Sequence, residues 1–331
     1  MAPFPAGPGG LSCVSYASSR LAARPAVLAV LLALSSAVGY GCSDFAAGLA
    51  TRGASVIRVT LLAEAASVAV VGLALAVIGA HPPSLHAVIW GIVAGLGGVF
   101  GALALYVGFR HAAFSVAGPL SAVGAAGFSV LAGLLLGERP TALALTGIVL
   151  ALPAIVGVSA SVDAGVAEHA GGGVTAASDA QPGDPAAPAR RLLPAGVSYG
   201  LVAGACFALL FIGLDRAGSG SGLWPVFCGQ AAALVAIACV AAFSGDLRLP
   251  DGRGRWLAAA AGLTGAPGTI LYFLATHRGL LAIAAVITSL YPAVTIVLAR
   301  VVLGERLTVI RLAGLLLAAA SVALIAVSGA S

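Results

Sequence analysis

Long apolar stretches fill most of the sequence, and short segments that carry the charges and the Gly/Pro clusters separate them. A helix that crosses a bilayer needs roughly 20 mostly apolar residues. Ten stretches of that size can be marked off, which predicts an all-α integral membrane protein with ten transmembrane helices. They cover residues 27–49, 55–79, 85–109, 114–136, 141–161, 192–214, 224–244, 256–275, 280–303 and 308–328.

Two segments of different composition divide the chain. Residues 1–24 are rich in Gly, Pro and Ser and predict a disordered leader, and residues 162–191, rich in Ala, Gly, Pro and Asp, predict a flexible linker. We therefore expect a first five-helix unit at 25–161 and a second at 192–329.

The two predicted units repeat each other. Leu-Gly-Glu-Arg-Pro-Thr at 136–141 returns as Leu-Gly-Glu-Arg-Leu-Thr at 303–308, an offset of 305 − 138 = 167 residues. Each copy lies at a helix end, where we expect its Glu and Arg to close a hairpin. Five crossings is an odd number, so the second unit enters the membrane in the opposite orientation. Inverted repeats of this kind are typical of transporters that work by alternating access.

The composition agrees with a membrane protein. Of 331 residues, 60% are hydrophobic and only 8% are charged, and the mean hydropathy is +1.10, too apolar for a water-soluble fold. The 16 basic residues are all arginine and lie at the edges of apolar stretches, so the net charge of +5 does not indicate nucleic-acid binding. Neither a metal site nor a cofactor is predicted, because the cysteines form no C-x-x-C pair and lack partnering histidines.

Two carboxylates lie well inside predicted helices: Asp44 in the first and Glu64 in the second. A charge at bilayer depth costs roughly 2.5 to 3.5 kcal/mol or more, so such groups usually face a cavity or a partner. The alternative for Asp44 is pairing with Arg52, and for Glu64 it is a buried ion pair that fixes helix packing. In the second half, Gln230 occupies nearly the place of Glu64, since 230 − 64 = 166. One acid opposite one amide suits a single proton or cation site, or one polar anchor for a substrate.

Other polar side chains also fall in the middle of predicted helices. Buried tyrosines need a hydroxyl partner, which a cavity or a neighbouring helix can provide. Ser121 and Thr288 match at the 167 offset, and each either lines the midplane or bonds to its own helix. Prolines interrupt several stretches and mark candidate hinges. These further candidates are the cavity residues Tyr40, Tyr106, Ser121, Tyr272, Thr288 and Tyr291 and the hinges Pro119, Pro267 and Pro292.

Two five-helix units, each with Gly-Glu-Arg after its fourth helix, resemble the EamA-domain members of the drug/metabolite transporter superfamily. The segment Tyr40-Gly41-Cys42-Ser43-Asp44-Phe45 is similar to that family's Trp-Gly-Ser-Asn-Phe segment, and Tyr291-Pro292 is similar to its Tyr-Pro in the ninth helix. The resemblance covers residues 27–328. It implies a transporter of metabolites, amino acids or drugs, and supports the tyrosines, Ser121 and Thr288 as cavity residues.

The sequence thus predicts a secondary active transporter that exports a small organic solute, driven by proton exchange or by the solute gradient. The partners expected are a small-molecule solute and the lipid bilayer. Protons and a second copy of the chain are further candidates, and no nucleic-acid partner is predicted. The location expected is the bacterial cytoplasmic membrane, and no enzyme activity is predicted. A polytopic membrane enzyme or a helical scaffold is the alternative. Orientation stays open, because the arginine count argues against cytoplasmic termini whereas the family resemblance implies them.

Overall fold

The computed structural model describes residues 10–79, 82–111, 114–159, 187–304 and 308–328, and in these ranges every regular element is an α-helix. Side chains are described within these ranges except at 10–26, 106–111, 114–119, 158–159 and 187–197. The helices are α1 Gly10–Ala50, α2 Val56–Ile78, α3 Leu85–His111, α4 Phe114–Leu135, α5 Ala142–Ser159, α6 Ala187–Arg216, α7 Trp224–Phe243, α8 Gly252–Thr276, α9 Leu281–Thr288, α10 Tyr291–Leu303 and α11 Val309–Ser328.

Most of these helices are long and apolar enough to cross a bilayer. In the described ranges eight segments meet that standard, and one of them, Leu281–Leu303, combines α9 and α10. Two shorter apolar helices, Leu120–Leu135 and Ala142–Gly157, fall below it. The chain is therefore a multi-pass, all-helical membrane protein.

Both boundary segments differ in part from the prediction. Helix α1 begins at Gly10, so the second part of the predicted disordered leader is helical. Helix α6 begins at Ala187, five residues before the predicted second unit. The rest of the predicted linker, residues 162–186, lies outside the described residues, as do residues 1–9.

Helices pack mainly across the two halves. Helix α1 lies chiefly along α8, and α3 lies along α6 and α7. Helix α2 packs between α7 and α8, α4 packs against α6 and α9, and α5 packs against α11. Few contacts join neighbouring helices of the same half, so the halves interleave rather than stand side by side.

Glycines make the closest of these crossings. At Gly95 of α3, an added Cβ would clash with the backbone of Gly229 in α7. At Gly39 of α1, a Cβ would lie 2.8 Å from the Cα of Gly268 in α8. Small residues let helix backbones approach in a membrane, where van der Waals packing replaces the hydrophobic effect between helices.

The ninth predicted crossing is broken. Helix α9 ends at Thr288, the chain turns at Ser289 and Leu290, and α10 starts at Tyr291. Pro292 has no N–H to donate to the carbonyl of Thr288, so one hydrogen bond of the α-helical ladder is missing at this point. The side-chain hydroxyl of Ser289 is buried without a hydrogen-bond partner among the described residues. The break therefore leaves polar groups inside the bundle.

Glu138 connects the two halves at one end of the bundle. Its carboxylate accepts the backbone N–H of Leu281 at 2.5 Å and of Ala282 at 3.0 Å, the first two residues of α9. The first N–H groups of a helix have no partner within the helix. The hairpin expected from Gly-Glu-Arg does form, with Gly137 in the left-handed region at φ 93°. In addition to lying in this hairpin, the glutamate caps a helix of the other half, which was not predicted.

At the opposite end, an ion pair ties α2 to the segment after α7. Arg58, in the first turn of α2, pairs with Asp246, and the hydroxyl of Ser55 donates a hydrogen bond to the same carboxylate. These interactions hold the pKa of Asp246 below its ordinary value, the Ser55 hydrogen bond being the largest cause and the Arg58 charge adding to it. Arg58 therefore pairs with Asp246, outside the apolar core, and not with Glu64.

Candidate functional site

A cavity of about 170 Å³ lies inside the bundle, between the halves. Helices α1, α2 and α3 of the first half and α6, α7 and α8 of the second line it, with α4 and α10 adding one residue each. The lining runs from Phe211 and Ser67 toward Ala47, Val59 and Thr60, near the end of the bundle where α1 ends and α2 begins. The cavity is thus displaced toward that end.

Both carboxylates predicted to be functional reach this cavity. Asp44 on α1 and Glu64 on α2 are lining residues. Glu64 is half-buried, and its Oε2 atom is buried without a hydrogen-bond partner among the described residues. Asp44 is exposed on the cavity wall. Neither acid is in the ion pairs found for the described part of the chain, Arg58 with Asp246 and Arg255 with Asp251. Among the described lining residues, these two carboxylates therefore have no cationic side chain beside them.

Three further predicted residues, Tyr40, Gln230 and Tyr291, line the same cavity. The hydroxyl of Tyr40 donates to Thr269 Oγ1 at 3.1 Å, and Thr269 donates in turn to the carbonyl of Gly265. This chain of bonds holds the Tyr40 ring against α8. Tyr291 is the first residue of α10, so the helix break places it on the wall.

Three predicted residues are buried in helix contacts instead. Tyr272 is fully buried, donates its hydroxyl to the carbonyl of Phe211 at 3.3 Å, and packs its ring 4.5 Å from that of Phe211. Thr288 is buried with its hydroxyl 3.4 Å from the carbonyl of Ala33. Ser121 is fully buried in α4. None of the three is among the described lining residues of the cavity. The hydroxyls of Tyr272 and Thr288 instead contact backbone carbonyls of neighbouring helices.

The remaining predicted residues divide in two ways. The side chains of Tyr106 and Pro119 lie outside the described residues. Helix α8 continues unbroken through Pro267, whereas the break between α9 and α10 lies directly before Pro292. Of the two described hinge candidates, Pro292 alone lies at an interruption.

At the end away from Ala47 and Thr60, packed and hydrogen-bonded side chains lie between the cavity and the bundle face, beside a second pocket lined by Ile78, Phe273 and His277. Below the Phe211 and Tyr272 rings, Thr276 donates to Asp215 at 2.5 Å and connects α8 to α6. Glu138 caps α9 at the same end. Leu281, Phe273 and Thr276 expose 4% or less of their surface here. These contacts separate the cavity from this face of the bundle.

Several lining residues were not predicted as candidates. They include the polar Ser43, Thr60, Ser67 and Thr269 and the apolar Phe207, Leu210 and Phe211. The 167 register could have identified part of this set, because Phe207 falls on Tyr40 and Phe211 on Asp44. No group of three or more metal-binding side chains is found in the ranges that the structure describes.

Comparison with known proteins gives a family match within the second half. Residues 194–327 match the model of the EamA-like transporter family, which belongs to the drug/metabolite transporter superfamily. This match confirms the resemblance predicted from the sequence and indicates a membrane transporter. No curated protein matches the chain.

The fold also occurs among solved structures. One crystal structure, described only as that of a protein, superimposes with a TM-score of 0.66 and covers 89% of this chain and 97% of its own. The sequences are 18% identical, so this likeness concerns the fold alone.

Proposed function

We propose, from the EamA-like match of residues 194–327, that the chain is a secondary active transporter that exports a small organic solute by alternating access. The observation that carries this proposal is the cavity between the two halves, closed at one end of the bundle and displaced toward the other. A binding site with one closed side is what one state of such a cycle requires.

The packing supports ten crossings in two inverted repeats. If each helix of the first unit corresponds to the helix five crossings later, the contact of α1 with α8 corresponds to that of α6 with α3. The contacts of α2 with α8 and of α7 with α3 form another such pair. An arrangement that maps onto itself in this way is expected from a pseudo-two-fold axis in the membrane plane. In this assignment α9 and α10 count as one crossing.

The broken crossing provides a means of movement. Tyr291 lies both on the cavity wall and on the first turn after the break. Rotation at Ser289 and Leu290 would move α9 relative to α10 without disturbing hydrogen bonds inside either helix. Such discontinuous helices border the substrate sites of several transporter folds.

The experiment is solute release from proteoliposomes. Vesicles containing the full chain are loaded with a small-molecule extract of the expression host, and mass spectrometry identifies the compounds that leave. A variant with a filled cavity, Gly98→Leu, tests the route. Gly98 lines the cavity, and a Cβ there would lie 3.7 Å from Leu210 Cδ1, an ordinary contact.

The matched control is Gly127→Leu in α4, because a Cβ at Gly127 meets nothing within 4 Å and this glycine is not among the lining residues. We expect the wild type and Gly127→Leu to release the same compounds and Gly98→Leu to release them at least tenfold more slowly. Equal release by all three proteins contradicts the proposal. So does release by the wild type that is no faster than from vesicles loaded with the same extract but lacking protein.

A further inference from the structure

The two halves give the cavity two chemically different walls. Helix α1 contributes Tyr40, Ser43 and Asp44, and helix α6 contributes residues at the same 167 offset. Those corresponding residues are all apolar: Phe207, Leu210 and Phe211. The duplicated framework therefore presents a polar, acidic wall on one side and an aromatic, aliphatic wall on the other.

The second pair of helices continues this asymmetry. Glu64 on α2 and Gln230 on α7 both line the cavity, one residue out of the 167 register. The carboxylate is on the first half and the neutral amide on the second. Negative charge is thus concentrated on the α1 and α2 side, where a buried carboxylate oxygen of Glu64 has no hydrogen-bond partner in the described part of the chain.

That unpartnered oxygen indicates what the cavity binds. Desolvating a carboxylate without a hydrogen-bond donor or a counter-charge is costly in an apolar bundle. The described lining residues include no arginine or histidine, and the chain has no lysine. An ammonium group would supply both donors and charge to Glu64 and Asp44, whereas a carboxylate on the solute would meet like charge.

The opposite wall suits an apolar body. Phe207 and Phe211 offer aromatic rings, and Leu210 lies between them in sequence. Aromatic faces attract the apolar part of a ligand and, when near it, also its cationic end. An elongated solute with an amine at one end would contact both walls at once.

We propose that the cavity selects amphiphilic organic monocations, with the ammonium group at Asp44 and Glu64 and an apolar body against Phe207 and Phe211. This assignment depends on the proposed transport function, since it names the class of solute for the same cavity. In this assignment, residues of the first half bind the ammonium group, and residues of the second half contact the apolar body of the solute.

The test uses three probes that share one aromatic body: phenethylamine, phenylalanine and phenylacetate. Binding of labelled phenethylamine to the purified full chain in nanodiscs is measured, followed by displacement with each unlabelled compound. We expect phenethylamine to displace the label at concentrations at least tenfold lower than phenylalanine or phenylacetate. This comparison uses the wild type and so does not depend on any variant folding.

Variants then locate the ammonium site. Glu64→Gln and Asp44→Asn each keep the shape of the side chain and remove its charge, and we expect each to weaken phenethylamine binding at least tenfold. The control, Asp251→Asn, removes the same charge from an exposed acid before α8 and should bind like the wild type.

Several outcomes overturn the cation assignment. It fails if phenylacetate or phenylalanine displaces the label as well as phenethylamine does, if phenethylamine does not bind, or if both acid variants bind it normally. The vesicle experiment with the host extract is independent of probe chemistry. Release of other solutes without phenethylamine binding would retain transport and reject the cation class, whereas absence of any release would reject transport itself.

Discussion

Replacing Glu138 should detach the start of α9 from the hairpin that follows α4. The carboxylate accepts two backbone N–H groups, at 2.5 and 3.0 Å, and α9 has no capping side chain of its own because its N-cap residue is Leu280. Losing an N-cap typically costs about 0.5–2 kcal/mol, and a hydrogen bond to a charged group contributes about 1.5–3 kcal/mol.

Glu138 is only half-buried, so water replaces part of what is lost when it is removed. We therefore expect Glu138→Ala to lower the free energy of unfolding by about 2 kcal/mol. Glu138→Gln keeps an oxygen acceptor. Burial raises the pKa of Glu138 above its ordinary value, against the lowering effect of the two backbone hydrogen bonds. Folding thus makes the charged form of Glu138 less favourable than it is in the unfolded chain, and the neutral amide should cost less than about 1 kcal/mol.

The same shift sets the sign of the pH dependence. A raised pKa in the folded protein means that the stability contributed by Glu138 is complete below the ordinary value of 4.5 and decreases as the pH rises through the folded value. Glu138→Gln lacks this decrease. The wild type should therefore gain stability relative to Glu138→Gln when the pH is lowered from about 8 to about 4.

The assay is unfolding of the purified protein in detergent micelles, combined with hydrogen exchange of the peptide that contains Leu281 and Ala282. A loss of about 2 kcal/mol corresponds to roughly 30-fold faster exchange if opening is local. Asp251→Ala is the matched control, because this acid also precedes a helix and its side chain makes no capping hydrogen bond. Equal destabilisation by Glu138→Gln and Glu138→Ala would contradict this capping role of Glu138. Unchanged hydrogen exchange at the start of α9 in Glu138→Ala would contradict it as well.

Two other substitutions test contacts at the two ends of the bundle. Asp246→Asn should destabilise the protein at neutral pH and much less under acid conditions, because a lowered pKa gives stability that is present above about pH 4 and lost as the pH falls through the folded value. Thermal unfolding at both pH values measures this, and an effect independent of pH would contradict it. Tyr272→Phe should cost about 1 kcal/mol for its hydrogen bond to Phe211. Tyr272→Ala should cost about 3–5 kcal/mol for the cavity it opens, and equal losses from the two would argue against the packing described.

Charge and depth in the sequence were sufficient to select several residues that line the cavity. Asp44 and Glu64 could be selected because a carboxylate in an apolar stretch requires a cavity or a partner, and both line the cavity. An offset of 166, one residue less than the repeat register, led from Glu64 to Gln230, which also lines it. These residues were found because their cost in a membrane is independent of how the helices rotate.

Whether the other candidate residues face the cavity depends on how each helix is rotated about its axis. A single sequence does not reveal this rotation. Tyr40 and Tyr272 both lie in mid-helix, yet Tyr40 lines the cavity and Tyr272 bonds to the backbone of α6. A neighbouring carbonyl satisfies a hydroxyl as well as a cavity does, so polarity cannot distinguish the two positions. Phe207 and Phe211 were missed because an apolar residue in an apolar helix carries no signal of its own.

The role of Glu138 could not be predicted for a different reason. Its partners are more than 140 residues away, at the start of a helix in the other half. Local motif geometry accounts for the glycine, which has the left-handed φ that ends α4's hairpin turn. It says nothing about a backbone N–H group supplied by a distant helix.

The interleaving of the two halves has a consequence for how the protein is made. Helices α1, α2, α3 and α5 emerge from the ribosome before the helices that they pack against have been synthesised. The Gly95 surface of α3 faces lipid, an insertion factor or another early helix until Gly229 of α7 has entered the membrane. The first half is therefore a partly assembled intermediate until the second half is inserted. Cell quality control would encounter this intermediate whenever synthesis stops within the predicted linker, residues 162–191. Separately expressed halves should reassemble only if both are present in the membrane together.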